Sequence, residues 1–219
     1  MTEREEAAVA AVCRAVLATS DALEQACEEL CELDAVAGDG DHGLAMANAA
    51  RSIRQTLESR PPRDLAALVG LVAGEFAAMG GSMGALTYIL VDAVGKAAPA
   101  PGSKLTAHDV ARLLATAEDA VGSFGSARQG DKTIVDAIAA ARGAADDCAS
   151  LCASPRETLL KAATAARDGA DATAGMVAQV GRASRLGELS RGTADPGATS
   201  FAIALSAIAH AYAEDRARA

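Results

Sequence analysis

The sequence predicts an all-α fold, about eight helices running up and down within one domain over residues 1–219. Three observations lead there. About a quarter of the chain is alanine and only 2% is aromatic, a composition that suits thin, closely packed helices and not sheets. Helical periodicity is interrupted at regular intervals by clusters of Gly, Pro and Asp. With 51% hydrophobic residues and a mean hydropathy of +0.16, 219 residues are enough to bury one sizeable core.

Taken in order, the first helix is expected over 3–31, followed by an acidic glycine loop. A second spans 43–58 and stops at Arg60-Pro61-Pro62, because the residue before a proline avoids the helical region. A third covers 63–78 and ends at Gly80-Gly81; a fourth, 82–97, runs into Pro99-Ala100-Pro101-Gly102. Thr106 is the expected N-cap of a fifth helix reaching Phe124. The polar glycine loop 125–132 precedes a sixth helix over 133–149. Ser154-Pro155-Arg156-Glu157 combines a cap residue, a proline at the first helical position and an early glutamate, opening a seventh helix to Val180. After a loop over 181–197, an eighth covers 198–213.

The net charge of −9 and pI near 4.8 argue against nucleic-acid binding, which needs surplus Lys and Arg to displace counterions. Thr2-Glu3-Arg4-Glu5-Glu6 is acidic and unlike a signal peptide. The longest uncharged stretch, 76–91, is too short to cross a bilayer and carries Gly80, Gly81 and Gly84. A cytoplasmic protein that meets neither membrane nor nucleic acid is expected. Cys27 with Cys31, and Cys148 with Cys152, are spaced i, i+4, unlike CxxC motifs, so the five cysteines are expected to be small buried hydrophobes in a reducing compartment.

Four loops carry the chemistry. Asp34, Asp39 and Asp41 lie within eight residues threaded by Gly38, Gly40 and Gly43. Clustered carboxylates on a flexible loop suit hard divalent cations, and the helix that follows turns its N-terminus toward the same place, a setting for phosphate. The spacing is not that of an EF-hand, whose loop of about twelve residues ends in Glu. Gly80-Gly81-Ser82-Met83-Gly84 can offer bare N–H groups and a hydroxyl. Gly130-Asp131-Lys132-Thr133 brings a cation and a hydroxyl to a helix start, and the fourth loop holds Arg182 and the turn Asp195-Pro196-Gly197. If the helices alternate in direction, these loops, following the first, third, fifth and seventh helices, meet at one end.

The strings Gly-Asp-Gly-Asp-His-Gly at 38–43, Gly-Gly-Ser-Met-Gly-Ala-Leu at 80–86, Gly-Asp-Lys-Thr at 130–133, Gly-Arg-Ala-Ser at 181–184 and Asp-Pro-Gly-Ala-Thr-Ser at 195–200 resemble the nucleotide-binding L subunit (DhaL or Dak2 domain) of dihydroxyacetone kinases. The resemblance runs through the whole chain in order. It implies a barrel of eight antiparallel helices with ADP or ATP at one end and two Mg²⁺ ions. Asp34, Asp39 and Asp41 would be the metal ligands. His42, Gly43, Leu44 and Ala45 would meet the phosphates together with Ser82 and Met83. Gly125, Ile134, Arg182, Asp195, Pro196 and Gly197 would hold the adenosine end. No catalytic residue is implied here, because the ketose and its base belong to a separate K subunit, without which this chain is expected to be inactive. The phosphoryl donor would be ATP, or a phosphotransferase-system M subunit that rephosphorylates bound ADP. Met83 stands where the family commonly has Ser, Ala45 where it has Asn, and Arg185 and Leu189 where it has aromatic and basic residues.

Dihydroxyacetone is the default acceptor, with a four-carbon ketose such as erythrulose as the alternative. A non-catalytic nucleotide-binding regulatory module, and a helical bundle whose acidic loop binds Ca²⁺ for stability, are the competing readings.

Overall fold

The structure, a computed structural model, describes residues 2–218; Met1 and Ala219, the ends of the expected domain, lie outside the described residues. It is all-α, with no strand among the described residues: α1 (Glu3–Gln25), α2 (Cys27–Ala37), α3 (His42–Ser59), α4 (Leu65–Ala78), α5 (Gly81–Ala97), α6 (Ala107–Gly125), α7 (Ile134–Ser150), α8 (Pro155–Ala172) and α9 (Pro196–Arg218). Short 3₁₀ segments cover Thr173–Gly175 and Ala183–Ser190.

The caps read from the sequence do the work assigned to them. Thr106 and Asp109 form a reciprocal capping box on α6, and the Ser154 hydroxyl accepts from the Glu157 N–H with Pro155 in the first turn of α8. Thr133 caps α7 in the same reciprocal way with Asp136.

The helices close into a ring. Sequential neighbours from α3 to α9 pack on one another, α1 packs on α3, and α9 returns to pack on α1. Alanine makes one side of this ring thin: α6 to α9 meet through Ala111, Ala141, Ala145, Ala162, Ala166 and Ala202, with Leu114 and Leu205 filling between them. On this side the backbones come close at Gly169 of α8, where a Cβ would sit 2.8 Å from Ala140 Cβ and 2.9 Å from the Asp136 carbonyl oxygen. The side formed by α1 to α4 is filled by larger residues, Leu23, Leu30, Met46, Ile53, Leu68 and Phe76, and by Ile203 from α9. Leu86, Leu90 and Val94 join α5 to Val121 and Ile138. No helix among the described residues is long and apolar enough to cross a membrane.

Three expectations are corrected. The long first helix is two helices, broken at Ala26 (φ −86°, ψ 6°), which frees α2 to turn over α3. The seventh ends at Ala172 and not at Val180, because Thr173 is taken into tertiary contacts: its carbonyl accepts from Lys132 Nζ at 2.7 Å and its hydroxyl from the Asp195 N–H at 2.7 Å. Of the five free cysteines, Cys148 is buried, Cys13, Cys27 and Cys31 are half-buried, and Cys152 is exposed with φ 52° just past α7.

Candidate functional site

The site grows from the last turn of α2. The Gly38 N–H closes that turn on the Asp34 carbonyl, and the chain then doubles back over the Asp34 side chain. Asp34 Oδ2 accepts from the N–H groups of Gly40 at 3.0 Å, Asp41 at 3.1 Å and His42 at 3.4 Å. Only glycine fits at 38, where a Cβ would fall 2.2 Å from Asp34 Oδ1, and Gly40 makes the reversal at φ +77°. Gly43, in the first turn of α3, sits so close to α2 that a Cβ would overlap the Cys27 carbonyl oxygen. The loop is therefore clamped between two helices.

This clamp gathers the three predicted carboxylates. One oxygen each from Asp34, Asp39 and Asp41 lies within 4.8 Å of the others; Asp34 is buried and the other two are exposed. The Asp39 carboxylate is paired with the Arg182 guanidinium, which holds its pKa below the ordinary range. Asp41 is pushed the other way, chiefly by the neighbouring Asp39 carboxyl. Crowded carboxylates of this kind repel one another until a cation joins them. Three oxygen donors from rigidly held backbone are a fitting set for a hard divalent ion. In the first turn of α3, Ala45 N–H donates to the Asp41 carbonyl and His42 N–H to Asp34, while those of Gly43 and Leu44 have no partner among the described residues. Unpaired N–H groups at a helix start beside a cation site suit an anion.

The other loops meet this one. Arg182, expected at the adenosine end, is placed on Asp39. The His42 ring is buried and its Nε2 lies 3.1 Å from Ser200 Oγ in α9; burial lowers its pKa. A Cβ on Gly197 would lie 3.5 Å from Met83 Cε, 3.8 Å from Ile134 Cβ and 3.1 Å from Asp195 Oδ2. The second, third and fourth loops thus converge on one turn, and His42 ties that turn to the first. Gly80 and Gly81 have φ of 71° and 66° and are exposed, as are Ser82 and Leu44. Gly125 is exposed at the end of α6, beside a cleft of about 480 Å³ lined by Gly122, Ser126, Arg128 and Val135 among others.

Asp195 caps α9 by accepting from Ala198 N–H at 2.7 Å, and its pKa is pushed up to about 6, mainly by burial. Lys132, offered by the sequence as a cation for a ligand, is instead buried at 5% exposure, and its ammonium donates to the carbonyls of Thr173 and Thr193 at 2.7 and 2.5 Å. Its pKa is lowered by burial. Ser200 and Thr173 were not among the predicted site residues. Their signal was weak: each is a small hydroxyl residue in or beside a helix, a type that ordinarily bonds its own helix carbonyl.

A ring of α-helices whose acidic and glycine-rich loops meet at one turn is the architecture of a known domain class. Residues 36–210 match the DAK2 domain, and the chain belongs to that family. It is 37% identical over 208 residues to an L-erythrulose 1-kinase of Mycolicibacterium smegmatis, covering 89% of this chain and 35% of that one. It is 36% identical over 209 residues to the dihydroxyacetone kinase of Citrobacter freundii (93% and 35%), and 36% over 183 residues to human triokinase/FMN cyclase (83% and 31%). The crystal structure of the C. freundii dihydroxyacetone kinase in its native form superposes with a TM-score of 0.70 at 29% identity, over 92% of this chain and 34% of that one. The same enzyme in complex with AMP-PNP and Mg²⁺ gives 0.67 at 28% identity. The chain spans about a third of the length of these relatives.

Proposed function

We propose that this chain is a single nucleotide-binding domain of a dihydroxyacetone-kinase-type phosphotransferase, holding ADP or ATP through Mg²⁺ while the ketose sits on a partner K subunit. The reading is carried by one observation: Asp34, Asp39 and Asp41 cluster within 4.8 Å at the start of α3 in a chain of the DAK2 family. The solved relative in complex with AMP-PNP and Mg²⁺ supports it.

Bound Mg²⁺ would supply neutralisation of phosphate charge, the main requirement of phosphoryl transfer. The chain's own residues do the positioning. The three carboxylates hold the cations, two by the family pattern, and Asp34 also keeps the loop folded over them. The N–H groups of Gly43 and Leu44 face the phosphates, with Ala45, Ser82 and Met83 beside them. Gly125, Ile134, Asp195, Pro196 and Gly197 form the adenosine end. Arg182, paired with Asp39 in this structure, would serve the adenosine end with them. No residue of this chain serves as the base; that role falls to the partner. Relatives named as kinases of L- and D-erythrulose favour a four-carbon ketose as the second acceptor to test beside dihydroxyacetone. The donor is ATP or, through bound ADP, a phosphotransferase-system M subunit.

Thermal unfolding with ADP, in Mg²⁺ or in EDTA, tests the reading. A rise in midpoint that needs both ADP and Mg²⁺ is expected. Absence of any rise in protein freed of nucleotide overturns it, and a rise with Ca²⁺ alone would favour a structural acidic loop.

A further inference from the structure

We propose that His42 is a positioning residue: its buried ring fastens the carboxylate loop to the first turns of α9 through Ser200, so that both sides of the site are set by one side chain. His42 is 6% exposed and Ser200 4%. One hydroxyl bridges the ring and the turn: Ser200 Oγ lies 3.1 Å from His42 Nε2 and 3.1 Å from the Gly197 carbonyl oxygen.

The other end of His42 is tied to the carboxylates. Its backbone N–H donates to Asp34 Oδ2, next to those of Gly40 and Asp41. Gly43 leaves no room for the loop to settle deeper, since it already touches the Cys27 carbonyl. Gly197 in turn lies against Met83 and Ile134. A shift of the 195–197 turn is therefore passed to the loop bearing Asp39 and Asp41, across 158 residues of sequence. A ring held this way positions the loop that carries the carboxylates.

The functional part of this inference rests on the nucleotide reading; the mechanical part does not. Ser200→Ala removes the link without disturbing His42, and His42→Gln keeps a donor near the same place, whereas His42→Leu does not. In metal-free protein, hydrogen exchange of the 38–45 segment is expected to rise about tenfold in Ser200→Ala and His42→Leu and to stay within about threefold of the parent in His42→Gln. By calorimetry, Ser200→Ala is expected to weaken Mg²⁺·ADP binding about fivefold or more, with the double variant Ser200→Ala/His42→Leu no weaker than His42→Leu alone. Unchanged exchange in Ser200→Ala overturns the proposal even if His42→Leu fails to fold. So does a loss of affinity in His42→Leu that Ser200→Ala does not share, which would put the ring on the nucleotide. If the parent protein binds no Mg²⁺·ADP, the nucleotide reading falls and the exchange data alone decide the positioning role.

Discussion

Asp34 differs from Asp39 and Asp41 in what its loss would remove. All three offer an oxygen to one point, but Asp34 also satisfies three backbone N–H groups. Asp39→Ala and Asp41→Ala are therefore expected to abolish Mg²⁺-dependent ADP binding with the unfolding midpoint of the ligand-free protein unchanged. Asp34→Ala should lose binding and also about 1–3 kcal/mol of stability, measured by urea denaturation, because buried donors are left unpaired. Asp195 gives a pH signature. Its folded pKa, about 6, lies above the ordinary carboxylate value, so the folded state holds the proton longer than the unfolded one. Its contribution is fully favourable below about pH 4 and is lost as pH rises through about 6, a change on the order of 2–3 kcal/mol. Asp195→Asn keeps the cap acceptor and should flatten that fall. His42 acts with opposite sign: a depressed histidine pKa means stability lost as pH drops below about 6.5.

Element boundaries are set by what each helix end must reach. α2 exists because the chain bends at Ala26 and docks on the bare face of Gly43. Gly43→Ala should push α2 off α3, costing about 1–3 kcal/mol and displacing the carboxylate loop, so that urea stability and Mg²⁺·ADP affinity fall together. α8 stops at Ala172 because Lys132 and Asp195 both take Thr173 out of the helical ladder. Lys132→Met removes the ammonium between two carbonyls and is expected to cost about 1–2 kcal/mol. Hydrogen exchange should then rise first in 173–195, ahead of α7.

At the scale of the molecule, the ring puts the four loops on one end, so a ligand gripping that end stabilises helices from both sides of the core. At a Mg²⁺·ADP concentration of about 100 Kd, the native state should gain about 2.7 kcal/mol. For a chain of this size that is a rise of about 5–10 °C in Tm. Neither ADP in EDTA nor Mg²⁺ alone should reach it. The thin, alanine-built side formed by α6 to α9 makes the response sensitive to packing: enlarging Ala141 or Ala166, both fully buried, should lower Tm without altering the carboxylates.

Periodicity and punctuation were enough to determine the helical class, most helix limits and the acidic loop, because capping residues, Pro and Gly act through local backbone sterics that any context preserves. The carboxylate triad was legible for the same reason: its members lie within one turn and one loop. The break at Ala26 was not, since good helix formers flank it and the force that bends the chain is contact with Gly43, sixteen or so residues on. The fate of the polar residues was likewise undecided until the loops met. Lys132 reads as a ligand-facing cation but is spent on two carbonyls, Arg182 lies on Asp39, and His42 faces Ser200. Those partners are tens to more than a hundred residues away, and only the packing of the loops and α9 against the rest of the ring chooses among them.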